Sequence, residues 1–146
     1  MFHGRKKEAF KAPTPEEVQA TQEKLDKIVL INTTMLAKRN AKEYTQESLA
    51  QTEKFSVLSP DFNTLWNYRR EIITHLFQSM DAKARLEMVK AELMMLIKGI
   101  KRSPKSYTLW YQRQWAIEIG LVEEAKLIEQ NTWRSTILDM ELGLCS

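Results

Sequence analysis

The stretch Ser59-Pro60-Asp61-Phe62-Asn63-Thr64-Leu65-Trp66-Asn67-Tyr68-Arg69 returns 44 residues later as Ser103-Pro104-Lys105-Ser106-Tyr107-Thr108-Leu109-Trp110-Tyr111-Gln112-Arg113. Six of the eleven positions are identical, among them the Ser-Pro pair, Leu-Trp and the closing arginine. In each copy the Ser-Pro pair is expected to stop one helix, because the residue before proline avoids helical backbone, and the proline to open the next. A period of this length with two helices in it is the mark of an α-solenoid, where neighbouring hairpins bury each other's apolar faces. An all-α fold of stacked helical hairpins is therefore expected, with repeat signatures at residues 59–69 and 103–113.

Outward from the repeats, helix signals cover most of the chain. Residues 1–13 lack periodicity and form an irregular N-terminal segment, and the helical repeat domain is placed at 14–146. Thr14 can cap a helix that has Pro15 at its first position and Glu16 and Glu17 at the positive end of its dipole. It is expected to run to about Asn40, with Leu25, Ile28, Val29, Met35 and Leu36 on one side. A weaker helix follows from about Thr45 to Val57. From Asp61 to about Ser79, apolar residues recur every three or four positions (Phe62, Leu65, Trp66, Ile72, Ile73, Leu76, Phe77), a broad stripe to be covered by neighbours. Asp81 caps another helix to about Lys101, and Pro104 opens one to about Ile119, which Gly120 is expected to break. Residues 121–143 read as one or two further helices, and the chain stops where a third signature should begin. A fragment or shortened form is the expectation, its last helix exposing apolar surface.

Composition narrows the class. Four glycines and four prolines are too few for the turns of a sandwich or barrel. The 22 basic and 19 acidic residues are interspersed apart from Arg5, Lys6 and Lys7, so nucleic acid is not implied. No apolar run reaches the roughly 18–20 residues of a membrane span, and the N-terminus lacks the apolar core of a signal peptide. A soluble, cytoplasmic protein is expected. The single cysteine, Cys145, rules out a disulfide framework or a Cys-rich zinc site, and no metal ligands are assigned to this chain.

The shared residues read as architecture. Trp66 and Arg69, like Trp110 and Arg113, lie three apart on one helix face. Such an arginine needs a partner: the tryptophan ring, loop carbonyls, or a carboxylate in the adjoining repeat. The differing residues invite a second reading, since packing alone does not call for Asp61 in one copy and Lys105 in the other. Lys105 and the Tyr107 hydroxyl, beside a helix N-terminus, form a donor cluster suited to an anion such as phosphate. A solvated lysine and a half-buried tyrosine account for the same residues.

At these positions the chain resembles the repeats of protein prenyltransferase alpha subunits, whose pattern is a proline, an aromatic residue about three positions on, then Trp-x-x-Arg. Within that family, Phe2-His3-Gly4-Arg5-Lys6, the segment from Pro60 to Glu71, and Lys90-Ala91-Glu92-Leu93 look most like the N-terminal part of the Rab geranylgeranyltransferase branch. The resemblance implies a heterodimer, in which helical hairpins surround a beta subunit that holds the catalytic zinc and the isoprenoid pocket. It further implies transfer of geranylgeranyl from geranylgeranyl diphosphate to C-terminal cysteines of Rab GTPases, presented by a Rab escort protein. Pro104-Lys105-Ser106-Tyr107 matches the family's diphosphate-reaching motif and Pro60-Asp61 does not, so Lys105 takes a catalytic role with Tyr107 beside it as diphosphate ligand. His3 would stand near the partner's zinc, although Phe2 displaces it from the family's register; His75 reads as structural. Alone, the chain is expected to be inert. The rival expectation is a non-catalytic helical adaptor, or a truncated decoy that occupies the beta subunit.

Overall fold

The computed structural model describes residues 11–130 together with 137 and 140. Among them every regular element is a helix: α1 Pro15–Asn40, α2 Gln46–Leu58, α3 Asn63–Phe77, α4 Ala82–Arg102 and α5 Tyr107–Glu129. The pairs α2/α3 and α4/α5 form two hairpins, each with a Ser-Pro signature at its turn, α3 meets α5 to stack them, and α1 lies across α3 and the edge of α2. His3, Cys145, most of the irregular segment 1–13 and most of the helices expected over 131–143 lie outside the described residues.

Three helices start on the caps their sequences supply. Thr14 Oγ1 accepts from the Glu17 N–H at 3.2 Å while the Glu17 carboxylate accepts from the Thr14 N–H at 3.1 Å, a complete capping box with Pro15 at the first position. Thr45 accepts from Ser48 N at 3.0 Å and Asp81 from Ala84 N at 2.8 Å. Each such cap contributes about 1 kcal/mol.

The repeat prolines behave differently from expectation. Pro60 and Pro104 lie in turns, and α3 and α5 begin three residues after them. The physical reason is in the signature itself. The Trp66 indole N–H donates to the Pro60 carbonyl at 2.7 Å, and Trp110 does the same to Pro104 at 2.7 Å. The indole bond ties the proline's carbonyl back onto the helix that follows, and so fixes the three-residue turn between proline and helix.

Burial also corrects α1. Of the expected face only Met35 is buried; Leu25, Val29 and Leu36 are exposed, and the contact with the core runs through the adjoining row with Ile31. α2 is a weak signal because its buried residues are Ser48, Thr52 and Ser56. Their small size admits close approach, and the hydroxyls of Thr52 and Ser56 are satisfied by the carbonyls of Leu49 (2.7 Å) and Glu53 (2.6 Å). The apolar mass comes from α3 to α5: Leu65, Trp66 and Ile72 pack in one cluster with Leu86, Val89, Leu96, Leu109 and Ile117.

Gly120 does not break its helix. α5 runs straight through it to Glu129, with Gly120 buried. A Cβ there would stand 2.9 Å from Val89 Cγ1 and 3.2 Å from Ile137 Cδ1, so the glycine lets α5 approach α4 and the segment bearing Ile137. Gly120→Val is expected to lower the unfolding free energy by about 1–3 kcal/mol through overpacking. Gly99→Ala, whose added carbon meets only the mobile end of Leu109 at 3.3 Å, should change it far less. Urea denaturation of both variants checks the contrast; equal midpoints would remove close packing as the role of Gly120.

Candidate functional site

The signature arginine of the first copy is a three-helix junction. Arg69, on the buried face of α3, donates from Nε to Glu92 Oε1 at 2.8 Å and from its terminal nitrogen Nη2 to Glu92 Oε2 at 2.8 Å. Its other terminal nitrogen reaches across α2, to the Leu49 carbonyl at 2.8 Å and Thr52 Oγ1 at 2.9 Å. Both side chains are about 95% removed from solvent. Of the partners expected for this arginine, the structure selects the carboxylate of the adjoining repeat and a carbonyl of α2. Glu92 had a legible signal: it stands among Val89, Leu93 and Leu96 at the spacing of one buried helix stripe, where an acid has no place without a cation.

In the second copy the tryptophan ring is among the arginine's neighbours. Arg113 is buried, with its guanidinium carbon 5.7 Å from the centre of the Trp110 ring. Trp66 is 1% exposed and Trp110 41%, so the same indole is sealed in the first hairpin and open at the second.

Between the two signature loops runs a stitch that changes the meaning of their difference. Ser106 Oγ donates to Asp61 Oδ1 at 2.7 Å, and the Thr108 hydroxyl donates to the Pro60 carbonyl. Asp61 thus has a packing role, contrary to expectation: it binds the loop of the following repeat. Ser106, although at the N-cap position, places no side-chain cap on α5, and the first N–H groups of that helix have no side-chain acceptor from it.

Lys105 and Tyr107 flank this serine. Both are exposed, Tyr107 to 88%, which excludes the half-buried tyrosine. Lys105 lines an open groove of about 370 Å³ with Asp61, Ser103, Pro104 and Ser106. A cationic side chain and a carboxylate therefore line one groove at the uncapped start of α5, whose first residue, Tyr107, is exposed. His75 is exposed, and its ring packs 5.3 Å from that of Tyr44. Among the described residues no group of three His, Cys, Asp or Glu side chains is placed to hold a metal ion. Nor is any helix among them long and apolar enough to cross a membrane.

Tyr68, one residue before Arg69, escaped the sequence reading. It is fully buried and its hydroxyl donates to the Glu43 carbonyl, pinning the α1–α2 connection to α3. Burial raises its pKa above the ordinary 10.0, and the nearby Glu43 carboxylate adds to the rise, while a hydrogen bond with Ser48 opposes it.

Stacked two-helix repeats, each locked by a Trp-to-Pro-carbonyl bond and a buried arginine, define the class as an α-solenoid of the Trp-x-x-Arg type. The family profile "Protein prenyltransferase alpha subunit repeat" matches residues 45–76 and 89–119, which contain α2 with most of α3 and the bulk of α4 with the first part of α5. The chain is 36% identical over 99% of its length to "Geranylgeranyl transferase type-2 subunit alpha" of Rattus norvegicus, covering 24% of that protein. The protein of that name from Candida albicans is 30% identical over 70% of this chain, 29% of its own length, and "Geranylgeranyl transferase type-2 subunit alpha 2" of Arabidopsis thaliana is 29% identical over 80% of this chain, 16% of its own. The chain belongs to the protein prenyltransferase alpha subunit family and corresponds to its N-terminal part. It spans about a quarter of the length of the mammalian relatives it matches.

Two outcomes follow from the junction. Arg69→Met should lower stability by about 3–5 kcal/mol, because it strands Glu92, and Arg69→Met with Glu92→Leu should recover part of that loss; chemical denaturation measures both. For Tyr68, a folded pKa above the unfolded one means its contribution is complete below pH 10.0 and declines as pH rises through the folded value. The stability gap between the native chain and Tyr68→Phe should accordingly narrow above pH 10, and a gap constant to pH 11.5 or so would contradict the assignment.

Proposed function

We propose that this chain acts as the N-terminal part of a geranylgeranyltransferase alpha subunit, scaffolding a beta subunit and lending Lys105 and Tyr107 to the diphosphate of geranylgeranyl diphosphate. The observation that carries this is the Pro104-Lys105-Ser106-Tyr107 motif, presented in the open beside the uncapped start of α5 in a chain similar to type-2 alpha subunits. The protein substrate on this reading is a Rab GTPase with C-terminal cysteines, delivered by a Rab escort protein, in the cytoplasm.

The chemistry asks little more of the chain than position and charge. The substrate thiolate, activated by zinc held in the beta subunit, forms a bond to the first carbon of the isoprenoid as the bond to the diphosphate oxygen breaks. Negative charge then accumulates on the departing diphosphate. An ammonium and a phenol aimed at that oxygen stabilise it most when the bond is nearly broken, which lowers the barrier without tightening substrate binding equally. Asp61, at 2.7 Å from Ser106 Oγ, offsets part of the Lys105 field. Further cations from the partner subunit are needed to balance a diphosphate.

The geometry also bears on the adaptor reading. Lys105 and Tyr107 are not used by the fold, which is unexpected of a pure scaffold. Co-expression of the full chain with a geranylgeranyltransferase beta subunit, followed by pull-down and single-turnover prenylation of a Rab, tests the proposal. Complex formation with turnover is expected, and Lys105→Ala should slow the chemical step about 10²–10³-fold. An unchanged rate removes Lys105 from the reaction, and complex without turnover identifies a scaffold or decoy.

A further inference from the structure

Beside the signature arginine, Arg70 points the other way, and its surroundings are unusual for a half-buried cation. One terminal nitrogen donates to Gln112 Oε1 on α5 at 2.7 Å and the other to Asn67 Oδ1 on α3. The Tyr111 ring lies under the guanidinium, 4.9 Å from centre to carbon. Every one of these partners is neutral. The carboxylate of Glu71, its neighbour in sequence, is taken by Arg39, whose Nε donates to it at 2.8 Å. Among the described residues, then, Arg70 is oriented by two amide oxygens and a ring, with no carboxylate in ion-pair contact.

Holding it there has a cost. Burial disfavours the charged form of Arg70. Gln112, fully buried, turns its oxygen to Arg70 and leaves its Nε2 without an acceptor. Nor does the hairpin require the arrangement: the position of Arg70 is Gln114 in the second repeat, and that of Tyr111 is Asn67 in the first. One turn from Tyr111, on the same α5 face, stands Tyr107; the two phenols are 63% and 88% exposed. Exposed tyrosines around a pre-oriented arginine are the composition of an interface hot spot.

We propose that Arg70, backed by Asn67 and Gln112 and flanked by Tyr111 and Tyr107, is a docking point for a carboxylate side chain of the beta subunit. This rests on the alpha-subunit reading above. The carboxylate supplies the missing counter-charge, the tyrosines exclude water around it, and the contact sets the α5 face that carries Tyr107 against the partner.

The test is binding of the full chain to the purified beta subunit, measured from low to high salt, for the native chain, Arg70→Gln and Asn67→Asp. Arg70→Gln keeps amide donors in place and removes the charge. Asn67→Asp keeps the arginine and its bond but gives it an internal carboxylate, so its melting temperature should be retained or raised. Both variants should bind at least tenfold more weakly and with a shallower dependence on salt. A structural role for Arg70 would lower the stability of Arg70→Gln without weakening Asn67→Asp. Native affinity and salt dependence in Asn67→Asp would therefore overturn the inference, whatever Arg70→Gln does. Absence of any complex with the native chain would overturn the alpha-subunit reading and this inference with it, whereas a complex indifferent to both substitutions overturns the inference alone.

Discussion

One guanidinium organises the two repeats. Arg69 is fixed in α3, yet its bonds end on α2 and α4, so the spacing within the first hairpin and the seat of the second are set by the same planar group. A buried ion pair adds little net stability over a well-packed apolar cluster, but breaking one is costly. Its effect is to admit one register. If α4 slid by a residue, the carboxylate of Glu92 would leave the fork of Arg69 and both charges would stay buried. The apolar stripes of α3 and α4 tolerate several packings; the ion pair selects among them.

The loops add a second constraint of different character. Each tryptophan ties its own loop by donating to the proline carbonyl, and the Asp61–Ser106 and Thr108–Pro60 bonds tie consecutive loops to each other. The loop edge of the stack is thereby held with few glycines and little apolar burial. The surface at Lys105 is accordingly both ordered and open: the stitch through Ser106 fixes the position of the start of α5, which carries no side-chain cap. Rigid support with unspent donors is what a site for a transient anionic group requires.

Much of this was legible where periodicity and caps agree. Thr14, Thr45 and Asp81 start their helices as short polar residues do before an apolar period, and the stripe of α3 is buried almost as written. The failures have distinct physical causes. The repeat prolines lie outside the helices, in turns that an indole six residues on closes by donating to the proline carbonyl, a side-chain bond that helix-start rules do not include. Gly120 was misread as a breaker because the value of a missing side chain depends on a neighbour, Val89, thirty-one positions away. In α1 the expected face is buried only at Met35, because contact with α3 decides which side of the helix turns inward.

For the candidate site, chemistry was legible and pairing was not. By itself the sequence determined that Lys105 and Tyr107 depart from the first copy, that Trp and Arg recur three apart, and that the fold is built of helical hairpins. Those are properties of spacing and residue type, which survive any arrangement of the helices. The tertiary structure alone decided that Glu92 answers Arg69, that Asp61 holds Ser106, and that Arg70 faces Tyr111 with no carboxylate of its own among the described residues. Each depends on how residues 23 to 45 positions apart meet, and such long-range contacts are set by the shape of the packed helices and not by any local pattern.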